Sequence, residues 1–275
     1  MATKTILDST LTAIADAIRQ KTGDSGSMTP LEMPEEIENI PTGGGGDTLD
    51  EVLLSHTATS YTNNTFAGTV PPYTFYNAAS LTEVKMSNAT VIDSSAFYGC
   101  SGLSTVNFPS VTKILGSVFS SAFANDAEPS FPAVTEIGGN AFSNSKIKSI
   151  TLPNVTNLAN GVFYNCTRLK SVTFPKTLTN FGNQIFRNCS ALESVVFGGD
   201  LPSAGIYSKT FAGCTACTLY DFSHCTVVPP LLNTDVFTDI NANAKIVVPD
   251  DLYNDWIAAT NWSTYASYIV KASEA

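Results

Sequence analysis

Gly161-Val-Phe-Tyr-Asn-Cys-Thr-Arg-Leu-Lys-Ser-Val-Thr-Phe-Pro175 is a unit that the chain repeats, with small changes, from about Asp47 to Pro249. Its apolar residues Phe163, Cys166, Leu169, Val172 and Phe174 recur as Phe97, Cys100, Leu103, Val106 and Phe108, and again as Phe186, Cys189, Leu192, Val195 and Phe197. The leading aromatic returns at Phe75, Phe97, Phe119, Phe142, Phe163, Phe186, Phe211 and Phe237, in steps of 22, 22, 23, 21, 23, 25 and 26 residues. Fixed internal spacing over that many copies marks a structural repeat.

A second mark tracks the first. Val111-Thr-Lys-Ile114, Val134-Thr-Glu-Ile137, Val155-Thr-Asn-Leu158 and Leu178-Thr-Asn-Phe181 each follow a proline or a lysine by one or two residues. Each repeat therefore carries two apolar segments separated by turns. The Val-x-Phe end alternates with period two and uses β-branched and aromatic residues, which predicts a short strand. Proline at 109, 132, 153 and 175 then removes a ladder donor and closes it. The Phe-x-x-Cys half sets two apolar groups three apart, which suits one short helical turn. Two residues after the aromatic stands Asn77, Gly99, Asn144, Asn165, Asn188 or Gly213, the types that tolerate a left-handed backbone. One coil cannot enclose its own Phe and Leu, so neighbours must stack, with short parallel strands on one face and a column of Phe, Leu, Val and Cys inside.

The repeats resemble the BspA-type leucine-rich repeats of bacteria, built on Ala-Phe-x-x-Cys-x-x-Leu-x-x-Val-x-Leu-Pro and represented here by Ala96-Phe97-Tyr98-Gly99-Cys100 through Pro109. The resemblance covers roughly residues 70 to 249 and implies an α/β repeat, a leucine-rich-repeat solenoid of about eight coils of 21–26 residues. After Phe119, the run Ser120–Pro129 has neither the Cys nor the Leu-x-x-Val, so a short or distorted strand is expected there.

Five segments follow: a helical module over 1–40, a Gly-rich linker over 41–46, an N-terminal cap over 47–72, repeats over 73–249 and a C-terminal cap over 250–275. Leu7, Leu11, Ile14 and Ile18 recur at helical spacing, with Ser9 or Thr10 available as cap, giving an apolar stripe that is the candidate attachment face. A second short helix is expected from Thr29-Pro30 to Ile40. Leu11 to Gly23, followed by Met28-Thr-Pro-Leu-Glu-Met-Pro-Glu-Glu-Ile37, is similar to the N-terminal module of structural proteins from tailed phages and prophages of Gram-positive bacteria. That resemblance implies attachment to a phage tail or baseplate protein through residues 1–40. Pro41 to Gly46 has the composition of a flexible hinge. At the far end, Val247-Val248-Pro249-Asp250-Asp251 predicts a last strand and an Asp-capped helix carrying Leu252, Tyr253 and Trp256 over the open end of the column; Thr260 to Ile269 resembles the terminal segment common in such repeat proteins.

A net charge of −10 without a cluster of Lys and Arg argues against nucleic acid. No run of about 18 apolar residues exists to insert in a membrane. The N-terminus lacks the apolar core and cleavage site of a secretory signal, which predicts synthesis and retention in the cytoplasm before assembly on a virion tail; a bacterial cell-surface location is the alternative.

Chemistry is sparse. With only His56 and His224, a His-based catalytic pair needs a partner from a distant coil, so no enzyme activity and no cofactor are expected. Gly23-Asp24-Ser25-Gly26-Ser27 matches a protease nucleophile loop in letters, yet lies between two helices, and Gly43–Gly46 lacks the Lys of a phosphate loop; both read as polar connections. Cys100, Cys166, Cys189 and Cys214 share one repeat slot and read as buried free thiols. Cys214, Cys217, His224 and Cys225 have the ligand types for Zn²⁺, but the adjacency of His224 and Cys225 is awkward for a tetrahedron and no metal is assigned.

What remains is surface. The outward strand positions, Glu83 and Lys85, Thr105 and Asn107, Ser149 and Thr151, Ser171 and Thr173, form a polar and nearly uncharged face. One residue past each core Phe runs a second row, Tyr76, Tyr98, Ser143, Tyr164 and Arg187, whose aromatic and Arg members suit protein hot spots or sugar stacking. The leading reading is a non-enzymatic, tail-associated receptor-binding protein recognising a bacterial surface glycan or protein, with homo-oligomerisation open; the alternative is a BspA-like surface adhesin.

Overall fold

The computed structural model describes residues 58–176 and 178–275. The attachment face of Leu7, Leu11, Ile14 and Ile18, the linker, His56, the loop at 23–27 and the start of the expected cap lie outside the described residues.

A repeat contributes one or two strands, and strands from successive coils pair in parallel. The first ladder runs through β1 (Ser60–Thr62), β3 (Glu83–Lys85) and β5 (Thr105–Asn107), breaks, and resumes through β9 (Ser171–Phe174), β11 (Ser194–Phe197), β12 (Leu219–Asp221), β13 (Lys245–Val248) and β14 (Ile269–Lys271). The second comprises β2 (Ala67–Val70), β4 (Asn88–Ile92), β6 (Lys113–Ile114), β7 (Glu136–Ile137), β8 (Asn157–Leu158) and β10 (Asn180–Phe181). Residues 58–72, assigned from sequence to the cap, thus supply β1 and β2 to both ladders. The result is a parallel-strand β-solenoid. The Phe-x-x-Cys half closes as a turn and not as a helix, so helix is confined, among the described residues, to the C-terminal end.

The two apolar segments make the two ladders for different local reasons. In the Val-x-Phe strands the buried and exposed positions alternate as the sequence predicts; in β9, Val172 and Phe174 are buried while Ser171 and Thr173 face solvent. In the Val-Thr-x-Ile segments, Ile92, Ile114, Ile137, Leu158 and Phe181 stand in register across five strands. The recurring Thr has its own role: the hydroxyls of Thr112, Thr135, Thr156 and Thr179 donate to the main-chain carbonyl of the Thr one coil earlier, at 3.1–3.3 Å.

The expected defect is present. Between β5 and β9 the first ladder is reduced to the isolated bridges Ser130↔Thr151 and Ser149↔Ser171. Val106 of β5, which has no Val of the next coil beside it, is only half-buried, whereas Val84 and Val172 are buried.

Inside, the leading Phe rings form one continuous stack. Successive centroids from Phe75 through Phe237 are 4.8–5.7 Å apart with interplanar angles of 8–26°. The Cys slot explains itself beside it. The thiols of Cys100, Cys166, Cys189 and Cys214 donate to the carbonyls of Phe75, Phe142, Phe163 and Phe186, each in the preceding coil, at 2.9–3.1 Å. Cysteine is small and apolar enough for the column, yet supplies a donor to a buried carbonyl.

Seven of the eight turns, all but that of Phe237, hold the aromatic between two left-handed residues. The expected one, two places after Phe, is found at Asn77, Gly99, Asn144, Asn165, Asn188 and Gly213. Gly99 has a second constraint, because a Cβ there would lie 2.1 Å from Asn77 Oδ1. A second left-handed position, two places before Phe, occurs at Tyr73, Ser95, Ser117, Asn140, Gly161, Gln184 and Lys209.

The C-terminal end is closed by a 3-10 turn at Asp250–Leu252, α1 (Tyr253–Ala258), a second 3-10 segment at Trp262–Tyr268, and β14. Two expectations need correction here. The carboxylates of Asp250 and Asp251 do not cap the helix; Asp250 instead accepts the Ser273 amide at 3.1 Å, which ties down the terminal segment. Nor is β13 last, since β14 pairs beyond it through Ile246↔Ile269. Trp256 and Trp262 are fully buried, and Trp262 packs 5.9 Å from Phe237 and donates its indole N–H to Pro229 O at 2.7 Å. The indoles cover the rings that the last coil leaves uncovered.

Candidate functional site

Because the turns stack in register, every residue one place past a core Phe is lifted onto the same side of the coil as its equivalents in neighbouring repeats. The structure places the members of this row unevenly. Tyr76 and Tyr98 are half-exposed and stack on each other at 5.0 Å and 7°, with Tyr73 edge-on to Tyr76 at 5.8 Å. Burial, and then the neighbouring Tyr98 and Tyr73, push the Tyr76 phenol above 10.0. Farther along, the Arg187 guanidinium lies over the Tyr164 ring, 5.7 Å from its centroid, and donates to Gln184 Oε1 at 3.0 Å.

Between these two patches the row is interrupted. Ser120 and Ser143 occupy the equivalent slots, but both are buried and their hydroxyls bond each other at 2.9 Å. The row that the sequence suggests as continuous is therefore two separate patches, and Ser143 does not belong to the exposed surface.

The strand-face candidates sit where alternation places them. Thr105, Asn107, Thr151, Ser171 and Thr173 are exposed, and Ser149 is half-buried at the bridge to Ser171. Glu83 and Lys85 are paired with each other at 2.8 Å within one strand. No hydrogen bond or ion pair among the described residues joins this face to the Tyr and Arg row.

A charged row escaped the sequence reading. Lys148, Lys170 and Glu193 each follow the buried Ile or Leu of their coil, and Lys148 and Arg168 reach Glu128 and Asp126 at the gap in the first ladder. Arg168 binds both oxygens of Asp126 at 2.9–3.1 Å, Lys148 pairs with Glu128 at 3.0 Å, and Lys170 pairs with Glu193. The Arg168 side chain holds the Asp126 carboxyl below the usual 3.8, helped by Lys148 and Lys170. The signal was available, since the residue after the Leu is a repeat slot as regular as the Cys.

The cysteines offer no reactive thiol among those with a shifted pKa. All six are buried and free. Burial pushes Cys100 and Cys225 up to about 12 and Cys217 to about 11, and raises Cys189 and Cys214 too. The four weighed metal ligands do not converge: Cys214, Cys217 and Cys225 donate to the carbonyls of Phe186, Leu219 and Gly199, and exposed His224 contacts Ser223. Asp221 accepts the Ser223 main-chain N–H at 2.8 Å. No helix of the described residues is long and apolar enough to cross a membrane.

The family described as "BspA type Leucine rich repeat region" matches residues 68–128 and 135–251 in six copies. Its one interruption, 129–134, adjoins the aberrant coil. Among curated proteins no match was found. Solved structures that this chain matches include a leucine rich cell surface protein from Faecalibacterium prausnitzii A2-165, at 17% identity over 70% of this chain and 73% of that one with a TM-score of 0.45. The leucine rich repeat protein of T. pallidum is 20% identical over 60% and 70% of the two chains at a TM-score of 0.40. The pneumococcal vaccine antigen PcpA is 13% identical over 78% of each at 0.39.

Proposed function

The chain belongs to the BspA-type leucine-rich repeat family, and from that premise we propose that it is a non-enzymatic binding protein, of the surface-adhesin kind, whose solenoid is the recognition surface. A fold of this sort hosts many roles, so the argument rests on the surface. The observation that carries it is the turn row: Tyr76 stacked on Tyr98, and Arg187 held over Tyr164, present rigid aromatic and guanidinium groups to solvent on a backbone fixed by coil stacking. Such side chains bind with little further loss of conformational freedom, which is what recognition hot spots exploit.

A second reading has its own observation. The similarity of residues 11–37 to the N-terminal module of phage and prophage tail proteins supports a tail-associated receptor-binding role, in which residues 1–40 attach to the particle and the solenoid meets the bacterial envelope. The two readings share the solenoid as binder and differ in what carries it.

The test is to incubate the fluorescently labelled full chain with Gram-positive cells and with plates coated with basement-membrane extract. Saturable retention on the coated plates supports the adhesin reading. Retention on bacteria alone, together with loss of particle incorporation when residues 1–42 are deleted, favours the tail reading. Absence of saturable retention on either overturns both.

A further inference from the structure

Three consecutive coils, those of Phe142, Phe163 and Phe186, enclose an open groove of about 330 Å³ beside the Tyr164–Arg187 pair. Four of its seven lining residues, Asn140, Asn160, Asn183 and Gln184, carry side-chain amides, with Gly161 between them. The coil geometry creates it. Asn140, Gly161 and Gln184 are the left-handed residues that precede the core Phe in each coil, so they turn outward together. Gly161 leaves the space open, since a Cβ at its φ of +64° would lie 2.4 Å from Asn140 Oδ1.

Asn183 donates its main-chain N–H to Asn160 Oδ1 at 2.8 Å, which joins two coils of the groove wall. One feature points to a ligand. Arg187 is fixed by Tyr164 and by Gln184 Oε1, and no carboxylate among the described residues pairs with it, whereas Arg168, one coil earlier, is held by Asp126. A preorganised guanidinium without its anion, in a groove of amides, is half of a recognition site.

We propose that this groove binds a carboxylate-bearing sugar residue of an acidic glycan. Each side-chain amide offers both a donor and an acceptor, which matches hydroxyl groups that do the same. The single cation matches a single carboxylate, while a phosphate would draw on a second. The volume sits at the low end of the range of about 300–1,000 Å³ for small-ligand sites and suits one or two sugar rings.

This inference rests on the reading of the turn row as a recognition surface, and the test separates the two. The full chain is titrated calorimetrically with trigalacturonate, a hyaluronan tetrasaccharide and sialyllactose, with methyl-esterified trigalacturonate and lactose as neutral controls. Binding to at least one acidic probe is expected, weaker by roughly tenfold or more for its neutral control and for Arg187→Met, which keeps an unbranched side chain beside Tyr164. A thermal midpoint equal to wild type certifies the fold of each variant. No binding to any acidic probe, or equal binding by Arg187→Met, overturns the proposal. In that case saturable retention on cells or coated plates, abolished by Tyr76→Ala/Tyr98→Ala, would leave the adhesin reading standing without this groove.

Discussion

Replacing Phe163 with Ala removes a ring from the middle of the aromatic column. The side chain is fully buried and stacks on Phe142 at 5.7 Å and on Phe186 at 5.4 Å. Loss of its transfer energy costs about 1.5–3 kcal/mol, and the cavity between two rings held by their own coils adds a term that brings large truncations of this kind to ~3–5 kcal/mol. The two ring contacts, worth ~0.5–1.5 kcal/mol each beyond their area, place this site in the upper half of that range. With a urea dependence of roughly 2–3 kcal/mol/M, the unfolding midpoint followed by circular dichroism moves down by about 1–2.5 M. Tyr164→Ala, one residue on but half-exposed, is the control and should change stability by no more than about 0.5–1 kcal/mol. A loss below ~1 kcal/mol at Phe163 would mean that the column is not what joins the coils.

Three further outcomes follow from the same geometry. The buried thiols have folded-state pKa values raised above 9.0, so their contribution to stability is complete below pH 9 and is lost as pH rises towards about 12; unfolding midpoints measured from pH 8 to 11 should fall, and less steeply in Cys100→Ala. The Asp126 carboxyl is held below 3.8 by Arg168, so its contribution is present above that value and disappears as pH falls through the depressed pKa; an NMR titration should show Asp126 ionising at lower pH in wild type than in Arg168→Ala. Gly99→Ala forces a side chain into φ +71° against Asn77, which should cost about 1–2 kcal/mol by chemical denaturation, whereas Ala in place of Gly139, at an ordinary φ and 3.5 Å from the nearest group, should cost less.

How much of this could be read from the sequence depends on whether a residue's role is set within its own repeat. The Phe spacing predicts the column, and Asn or Gly two places later predicts the left-handed turn, because the residue type itself carries the preference. The second left-handed position is occupied by Tyr73, Ser95, Gln184 and Lys209, which have no such preference; stacking on the next coil imposes it. Ser143 looks exposed by slot, but the presence of Ser120 one coil earlier supplies a hydroxyl partner and draws both inward. Asp250 looks like a helix cap until Ser273 competes for it. The groove beside Arg187 was half visible, through Tyr164 and Arg187 themselves, while its amides come from three coils and share a surface only once those coils stack.

The claim most in need of testing is that recognition lies on the turn row and not on the polar strand face. Two full-chain variants separate them: one with Tyr76, Tyr98, Tyr164 and Arg187 changed to Ala, the other with the exposed Thr105, Asn107, Thr151, Ser171 and Thr173 changed to Ala. The binding isotherm of each on the surface that retains wild type is the measurement. The account predicts that the first variant loses binding while the second matches wild type. The reverse order, with both variants folded, would contradict it.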